Sequence, residues 1–508
     1  MEGARYGVKK TVSAFCLLGG IAAACLSNTS AYADQTHEER AEIETLDGKQ
    51  LIQKTLNDES LVQAKPRRMS LEECIKLGIK NNYQIQANKK LVEQSEWNLI
   101  ASRREWYPSV SLSSAIYGGY TSFQESLIQS DGVTSTFLTS GQSYNAYEQF
   151  SPGVGVTWYF ANPTVIPAIN SSLALVKAQR FTYDYIVRGI ILDVQTAYIN
   201  VQGSQQLVEA YKKIYESNKE QVNYLEAQLK KGMVDIGAVA QSKTTMYQQL
   251  ASLVTFQQTL AQQGNQLAQL IGYKDSTIVL ATETLKRDKE WKPDLGESIK
   301  RGLEAREEIK EYLETADSYR WQARELINSY LPSLYITYSG SISEIQGCLN
   351  VDSKNNCPST PSTNNTWSNS VSLGVSWNFD GGQNMANANA NKKAAEANID
   401  YAKNEETLVA QQIKDSFSQY KAYDVAIGLA ERQLASAKLN SDVSAERFRV
   451  GIGDITTVVQ AQQLLSSAVQ AEVQALQQFN LAIAQLNRYS AILPNGVSQD
   501  ILMGEDNE

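Results

Sequence analysis

The chain of 508 residues carries 46 lysines and arginines against 55 aspartates and glutamates, a net charge of −9 at pH 7. This acidic balance argues against a nucleic-acid partner, because the chain offers no basic stripe to offset phosphate charge. The single histidine, His37, lies in a polar N-terminal stretch. The sequence also shows no identifiable Ser/His/Asp arrangement, Gly-rich phosphate loop or Cys/His metal cluster. We therefore expect no enzymatic activity, no cofactor and no metal site.

Residues 1–33 have the pattern of a secretory signal peptide. Basic residues precede the apolar run Val12–Leu26, and Ala31-Tyr32-Ala33 is a small-residue cleavage site. We therefore expect the mature chain, from about Asp34, outside the cytoplasm. Lipoprotein processing at Cys25 is the alternative, although Ala22 stands where such sites usually have a branched or Leu-like residue.

Three cysteines remain after the signal segment. Cys348 and Cys357 lie in a Ser/Asn/Pro-rich loop of an exported chain, which we interpret as a local disulfide. Cys74 lies in a helical pattern and is interpreted as a small buried apolar residue rather than a reactive thiol.

Between flexible ends, predicted at 34–68 and 494–508, the same pattern occurs twice, about 220 residues apart. Each copy has the order helix, strand, strand and very long helix, and we place the copies at 69–292 and 293–493. The duplication indicates that one chain supplies two equivalent parts to a larger assembly. The matched segments are Gly155–Phe160 with Gly374–Phe379, Lys231–Ile236 with Val450–Ile455, and Tyr107–Ser109 with Leu331–Ser333.

Each copy contains two segments in which apolar and small polar residues alternate, which predicts β-strands with one apolar and one polar face. Strands of about 10–12 residues are long enough to cross a bilayer when tilted. No later stretch is long and apolar enough for a transmembrane helix, so we expect any membrane crossing to use these strands. An ordinary soluble sheet is the alternative. The predicted strands are 109–120, 152–161, 333–343 and 370–380.

Aromatic residues cluster where these strands would meet one membrane interface. They recur in both copies, which an ordinary soluble sheet would not explain. The polar segments Thr121–Ser151 and Glu344–Asn369 are expected to be loops that face the outside. The predicted aromatic girdle consists of Trp106, Tyr107, Trp158, Phe160, Tyr330, Trp377 and Phe379.

Four strands cannot close a barrel, and an open strand edge is not tolerated in hydrocarbon, so we expect the chain to oligomerise. Two copies would give eight strands, a barrel filled by its own side chains. Three copies would give twelve strands and leave a lumen. A conduit favours three.

The long helices predict a second, longer tube. Proline is absent between Pro167 and Pro293, and the second copy has a similar gap, so both stretches are free to be almost wholly helical. The outgoing helix, from about Thr164 to Lys230, would reach roughly 100 Å, and the returning helix, Ile236–Ile271, covers about half of that. We expect the helix before each strand pair, Met69–Trp106 or Asp294–Tyr330, to stack end to end with a returning helix.

These residues resemble the TolC family of outer-membrane efflux and secretion ducts, over roughly Met69 to Tyr489. The resemblance implies an α+β membrane protein that forms a homotrimer. A 12-stranded outer-membrane β-barrel, with four strands per chain, would be continuous with a 12-helix periplasmic α-barrel. The resemblance is carried by Pro108-Ser109 and Pro332-Ser333, by the strand ends Trp158–Phe160 and Trp377–Phe379, and by Arg447–Gly451 followed by Val459–Gln462.

The family resemblance also implies partners. They are a periplasmic adaptor protein and an inner-membrane transporter, with outer-membrane lipid around the strands. In the family, adaptor hairpins dock on the helix tips, which correspond here to Lys231, Gly232, Val450 and Gly451. The glycines also permit the sharp reversal between helices, and that structural role is sufficient to explain them.

The periplasmic entrance is expected at Asp235, Asp454, Thr457 and Gln460. The two aspartates are candidates for a negative ring, or each caps its returning helix by accepting backbone N–H bonds. Some family members narrow this mouth with acidic residues at the positions of Thr457 and Gln460. Neither residue is charged here, so the sequence does not predict the selectivity of the mouth or the way in which it closes.

The sequence therefore predicts an exit duct of a tripartite efflux or type I secretion system, in the outer membrane and extending into the periplasm. Such a duct passively exports what an inner-membrane pump and an adaptor deliver. Small-molecule efflux and protein secretion use the same scaffold, and nothing in the sequence separates them. The alternative is a structural or adhesive surface protein with a helical stalk and no open conduit.

Overall fold

The computed structural model describes residues 65–130, 135–274, 277–351 and 362–493. The chain divides into two units, Met1–Lys65 and Pro66–Glu508, and the elements given below belong to the second, except that the first strand begins at Lys65. The predicted signal peptide, the segment 34–64 and the acidic tail 494–508 lie outside the described residues.

The order of elements is the same in the two halves of the chain: two short helices, two long strands, a very long helix and a returning helix. The first half contains α1 Leu71–Asn81, α2 Tyr83–Arg104, β2 Ser109–Ser130, β3 Ser135–Ala161, α3 Val165–Leu229 and α4 Ile236–Leu270. The second half contains α5 Leu295–Ala305, α6 Glu307–Asn328, β5 Ser333–Val351, β6 Ser362–Ser376, α7 Gln383–Arg449 and α8 Ile455–Tyr489. Two short strands, β1 Lys65–Met69 and β4 Thr277–Ala281, pair with each other.

The four long strands form one antiparallel sheet in the order β2-β3-β5-β6. Thr157 of β3 pairs with Ser109 of β2 on one side and with Thr337 of β5 on the other. The two halves of the chain therefore meet in the middle of the sheet, and β2 and β6 lie at its edges.

The sheet extends beyond the predicted strands. The segments Thr121–Ser151 and Glu344–Asn369, predicted as loops, are largely paired strand in the described residues. Their polarity favoured loops, but hairpin pairing satisfies the backbone N–H and C=O groups of a polar segment as well as water does. At the other end of the sheet, β6 ends at Ser376 and not near residue 380 as predicted. Asp380 instead accepts the backbone N–H of Asn384 at the start of α7 (2.8 Å).

The long helices follow the predicted boundaries closely. α3 has 65 residues and α7 has 67, which corresponds to roughly 100 Å each. α4 and α8 have 35 residues each and return about half of that length. Among the described residues, no helix combines the length and the apolar character that crossing a membrane requires.

Each helix predicted before a strand pair is broken, which corrects the expectation of one continuous helix. The break between α1 and α2 lies at Asn82, whose ψ of 122° is extended rather than helical. Its Oδ1 accepts the N–H of Gln84 (2.9 Å) and caps α2, while its Nδ2 donates to the carbonyl of Leu270 (3.1 Å). The break therefore holds the end of α4 directly against the start of α2.

The second half breaks at Arg306, with a ψ of 132°. Here α5 approaches the end of α8 so closely that a Cβ at Gly302 would lie 2.9 Å from the carbonyl oxygen of Tyr489. The Arg306 guanidinium lies over the Tyr489 ring, 5.5 Å from its centre. In both halves, therefore, a returning helix and the helix before the strands stack end to end.

The second break contains a buried network of charges. Glu307 forms ion pairs with Arg188 of α3 (2.6 Å) and with Arg488 of α8 (3.5 Å). The Nε of Arg306 donates to Glu308 (3.0 Å). The corresponding residues of the first half, Asn82 to Gln84, carry no charge. Removing one member of such a network leaves a buried charge without its partner, which typically costs about 3–5 kcal/mol.

The small β1–β4 sheet and the helices around it enclose the main hydrophobic core, with Cys74, Val194, Leu267 and Val279 fully buried. Burial raises the pKa of the Cys74 thiol to about 12, in line with its interpretation as a packing residue. The sequence predicted a flexible segment through Arg68, but residues 65–68 belong to β1. The pairing with β4 fixes them in place.

Asp184 of α3 faces the charge network at the second break. Burial, and after it the negative charge of Glu307, raises the pKa of the Asp184 carboxyl to about 6, although Arg188, Arg180 and Lys310 act in the opposite direction. An aspartate in an unfolded chain titrates near pH ~3.9. The folded chain thus binds this proton more tightly, and the contribution of Asp184 to stability falls as the pH rises from about 4 to about 6.

We predict that Asp184→Asn raises the apparent melting temperature of the detergent-solubilised protein at pH 8 and leaves it unchanged at pH 4. The neutral amide removes the cost of burying a carboxylate only where the wild-type group is ionised. Asp317→Asn, at a side chain about half exposed on α6, is the control and should show no such pH dependence. An equal effect of Asp184→Asn on the melting temperature at both pH values would contradict the raised pKa of Asp184.

Candidate functional site

The four-stranded sheet has one apolar and one polar face. The apolar face exposes large side chains, with Leu112 84% and Leu373 72% accessible in the single chain. Exposed apolar surface of this extent needs a non-aqueous cover. The apolar face contains Val110, Leu112, Ile116, Val154, Val156, Leu334, Ile336, Ile342, Val371, Leu373 and Val375. The polar face contains Ser109, Ser111, Ser113, Ser151, Gly155, Thr157, Ser333, Thr337, Ser339, Ser341, Ser343, Ser370, Ser372 and Ser376.

Two tryptophans tie the strands to the helices at equivalent places in the two halves. The indole N–H of Trp158, near the end of β3, donates to the carbonyl of Trp106, just after α2 (2.9 Å). The indole N–H of Trp377, just after β6, donates to the carbonyl of Tyr330, just after α6 (2.9 Å). Each bond satisfies a carbonyl at a helix end and fixes the angle at which chain passes from helix to strand.

The rest of the predicted aromatic girdle lies around these two bonds. Trp158 packs edge-on against Phe160 at 6.1 Å between ring centres, and Trp377 packs against Phe379 at 5.0 Å. Tyr330 donates its hydroxyl to Asp380 (2.6 Å). The structure therefore brings six of the seven predicted aromatics into contacts at the two junctions, and Tyr107 is the most exposed of the girdle residues.

The opposite ends of the long helices carry the predicted tip residues. After α3, Gly232 has a φ of +70° and donates its N–H to Leu229 (2.9 Å). After α7, Gly451 has a φ of +79° and donates to Phe448 (3.0 Å). Both glycines therefore occupy the left-handed conformation that closes a helix, which residues with a Cβ adopt only at a cost. Lys231 and Val450 are exposed beside them.

The aspartates of the two tips behave differently. Asp235 accepts the N–H of Gly237 (2.9 Å) and caps α4. Asp454 occupies the equivalent position before α8 but makes no capping bond with its side chain. Asp454, Thr457 and Gln460 are all exposed to solvent. Capping thus accounts for the first aspartate and leaves the carboxylate of the second one facing water.

The two tips pack side by side. Leu225 and Val239 of the first half and Ile455 and Val458 of the second half form one buried cluster. Beyond it, apolar side chains point into solvent, with Ile452 82% exposed. Sequence reasoning named Val450 but missed Met233, Ile236 and Ile452. The signal was available, because apolar residues in a glycine-bearing turn have no core of their own to join.

The predicted disulfide lies only partly within the described residues. Cys348, in β5, is disulfide-bonded. Cys357 falls in the segment 352–361 that the structure does not describe. The pairing of these two cysteines therefore stays a prediction.

Comparison with known proteins agrees with this geometry. A family model described as "Outer membrane efflux protein" matches residues 75–273 and, a second time, residues 299–491. The outer membrane protein TolC of Escherichia coli (strain K12) is 26% identical over 322 residues, which are 62% of this chain and 63% of TolC. The match thus spans somewhat less than two thirds of that relative.

Solved structures show the same fold. The outer-membrane channel OprN has a TM-score of 0.63 at 18% identity, covering 86% of this chain and 91% of OprN. CusC has a TM-score of 0.65 at 14% identity, covering 83% of this chain and 92% of CusC. Likeness at these identities establishes the fold, a mixed helical and sheet architecture of outer-membrane channels.

The fold is thus the one seen in solved outer-membrane channel proteins. The chain belongs to the outer membrane efflux protein family, since the family model covers well over half of its residues. The predicted TolC-family resemblance is confirmed, and so is the location in the outer membrane with an extension into the periplasm.

We predict that Trp377→Phe lowers the free energy of unfolding by about 1 kcal/mol, because the aromatic body is kept while one hydrogen bond is lost. Trp158→Phe should have the same effect, since its bond has the same length. Trp367→Phe, on the exposed apolar side of β6, is the matched control. Thermal unfolding in detergent measures all three. Equal midpoints for Trp377→Phe and Trp367→Phe would show that the junction bonds do not stabilise the fold.

Proposed function

We propose that three copies of this chain form an exit duct across the periplasm and the outer membrane. Substrates enter from an inner-membrane pump through a periplasmic adaptor, and the duct itself conducts them passively. The proposal rests chiefly on the continuity of the chain at the two tryptophan junctions. They join a sheet with an apolar outer face to helix columns long enough to reach deep into the periplasm.

The edges of the sheet support three copies. β2 and β6 each pair on one side only within the described chain. An edge of free N–H and C=O groups is very costly in hydrocarbon, so β2 of one copy must pair with β6 of another until the sheet closes. Twelve strands enclose a lumen, whereas eight strands are filled by their own side chains.

The helices supply four columns per chain. Two columns are the long helices α3 and α7. The other two are stacks, α4 with α2 and α8 with α6, held end to end at Asn82 and at Arg306. Four columns from each of three copies give the twelve-helix periplasmic tunnel that the family resemblance implies.

The helix tips are the proposed docking place for the adaptor. The turns around Lys231, Gly232, Val450 and Gly451 are exposed, and the two tips of one chain form a single rigid end because they share a buried cluster. Ile452 beside them offers apolar surface that a partner hairpin would bury. Just beyond, Asp454 with Thr457 and Gln460 is the proposed rim of the periplasmic entrance, with one carboxylate per copy left for a ring.

We predict that Ile452→Asp weakens adaptor docking while the trimer still assembles. A photoreactive amino acid in place of Lys231, in living cells of the native host, should crosslink to a periplasmic protein that mass spectrometry identifies. Ile452→Asp should lower the yield at least about tenfold, equivalent to ~1.4 kcal/mol, because a carboxylate replaces a buried apolar contact. Ile452→Leu keeps the contact and is the control. An unchanged yield with Ile452→Asp would place docking elsewhere.

The proposed duct should conduct ions. Purified trimer reconstituted into a planar bilayer should give discrete current steps of uniform size, since one water-filled path runs through each trimer. A structural or adhesive surface protein on a helical stalk predicts no such steps. Reconstituted trimer that carries no current at any voltage, with incorporation verified by gel, would contradict the duct and favour the stalk.

A further inference from the structure

The described part of the sheet's polar face differs from the rest of this acidic chain because it carries no charged side chain. Side chains are described for 109–116, 145–161, 333–348 and 363–376 of the four long strands. The charged residues within these parts are Glu148 and Glu344. The charged residues that give the chain its net charge of −9 therefore lie outside the described polar face.

The strand register places both glutamates on the other side of the sheet. Glu344 pairs with Phe150, which shares its face with Val154 and Val156. Glu148 lies two residues before Phe150 and pairs with Gln346, so it points to the same side. Side chains alternate strictly along a strand, and no shift in register interrupts this part of the β3–β5 pairing.

The hydroxyls of the polar face are bound within the sheet. Thr337 Oγ1 lies 2.5 Å from Ser372 Oγ, and Ser339 Oγ lies 2.7 Å from Ser370 Oγ. Such pairs hold short side chains flat against the wall. In each pair one hydroxyl donates to the other, so one of the two protons is already engaged, and the oxygen atoms that face the solvent are neutral.

Small residues also keep this wall thin. A Cβ at Gly155 would lie 2.7 Å from Ser111 Oγ, and a Cβ at Gly374 would lie 2.3 Å from the Tyr335 ring. These two glycines leave room for the neighbouring strand's side chain to lie across the sheet instead of into the lumen.

We propose that the sheet section of the duct is an electrically neutral, hydroxyl-lined bore that passes polar cargo of either charge without selecting between them. The inference rests on the proposed duct, because it assigns the polar face to the lumen. Charge selection in pores comes from rings of ionised side chains, whose field reaches about 8–10 Å at physiological salt. The bore has no such ring in its described part, so any charge preference arises in the helical tunnel or at its entrance.

Cysteine accessibility tests the bore separately from the tunnel. Ser339→Cys places a thiol on the polar face, and the purified trimer in detergent is treated with a cationic or an anionic methanethiosulfonate reagent of similar size. Each rate is divided by the rate of the same reagent with a small free thiol. We expect the two normalised rates to agree within about threefold, which corresponds to less than ~0.7 kcal/mol of electrostatic preference.

Two further variants calibrate this measurement. Thr337→Asp, added to Ser339→Cys, places three carboxylates per trimer one pleat away, roughly 7 Å along the strand. It should raise the cationic over anionic ratio about tenfold. Leu373→Cys, on the apolar face, should react with neither reagent because detergent covers it. The unsubstituted protein gives the background, as Cys74 is buried and Cys348 is disulfide-bonded.

The outcomes separate the two proposals. A normalised ratio above about threefold for Ser339→Cys alone would overturn the neutral bore and leave the duct intact. If Leu373→Cys reacts with the charged reagents while Ser339→Cys is inaccessible to both, the faces are assigned the wrong way and the duct itself fails. Similar rates at Ser339→Cys with a shift on adding Thr337→Asp support the neutral bore.

Discussion

The structure depends on one constraint, which is that a sheet with an apolar face and two open edges cannot exist alone. Residues such as Leu112 and Leu373 are exposed in the single chain, and β2 and β6 present edges that their own described chain does not pair. Lipid covers the face at a gain of about 25 cal/mol per Å² of apolar area removed from water. Only further copies of the same edges satisfy the backbone. These two requirements together explain why the chain is proposed to oligomerise, and the need for a lumen selects three copies.

The long helices extend from this sheet into the periplasm. Sheet and helices meet at two hydrogen bonds of the same length, from Trp158 and from Trp377, so the two halves join their strands to their helices in the same way. The helix columns differ beyond that point. The first half stacks its broken helix through Asn82, whereas the second uses a buried charge network around Arg306 and Glu307. The two copies of the repeat thus use different interactions at equivalent helix breaks.

The sheet and the helix tips of the proposed conduit differ in charge. The described polar face of the sheet is neutral, while Asp454 at the tip keeps a carboxylate that no helix cap engages. The buried Asp184, whose pKa is raised, makes stability depend on pH in the part of α3 nearer the sheet. If both proposals hold, cargo meets carboxyl groups at the periplasmic mouth and uncharged side chains near the exit.

The sequence by itself determined the elements whose signals are local and periodic. Alternation defined the two-faced strands, missing prolines and the glycines Gly232 and Gly451 defined the long helices and their turns, and repetition paired the Trp junctions. The helix breaks at Asn82 and Arg306, the β1–β4 sheet and the extended hairpins were decided only by tertiary structure. Each depends on partners distant in the chain, such as the Leu270 carbonyl that Asn82 binds. No local pattern encodes a contact of that kind, because its free energy appears only once the helices have packed.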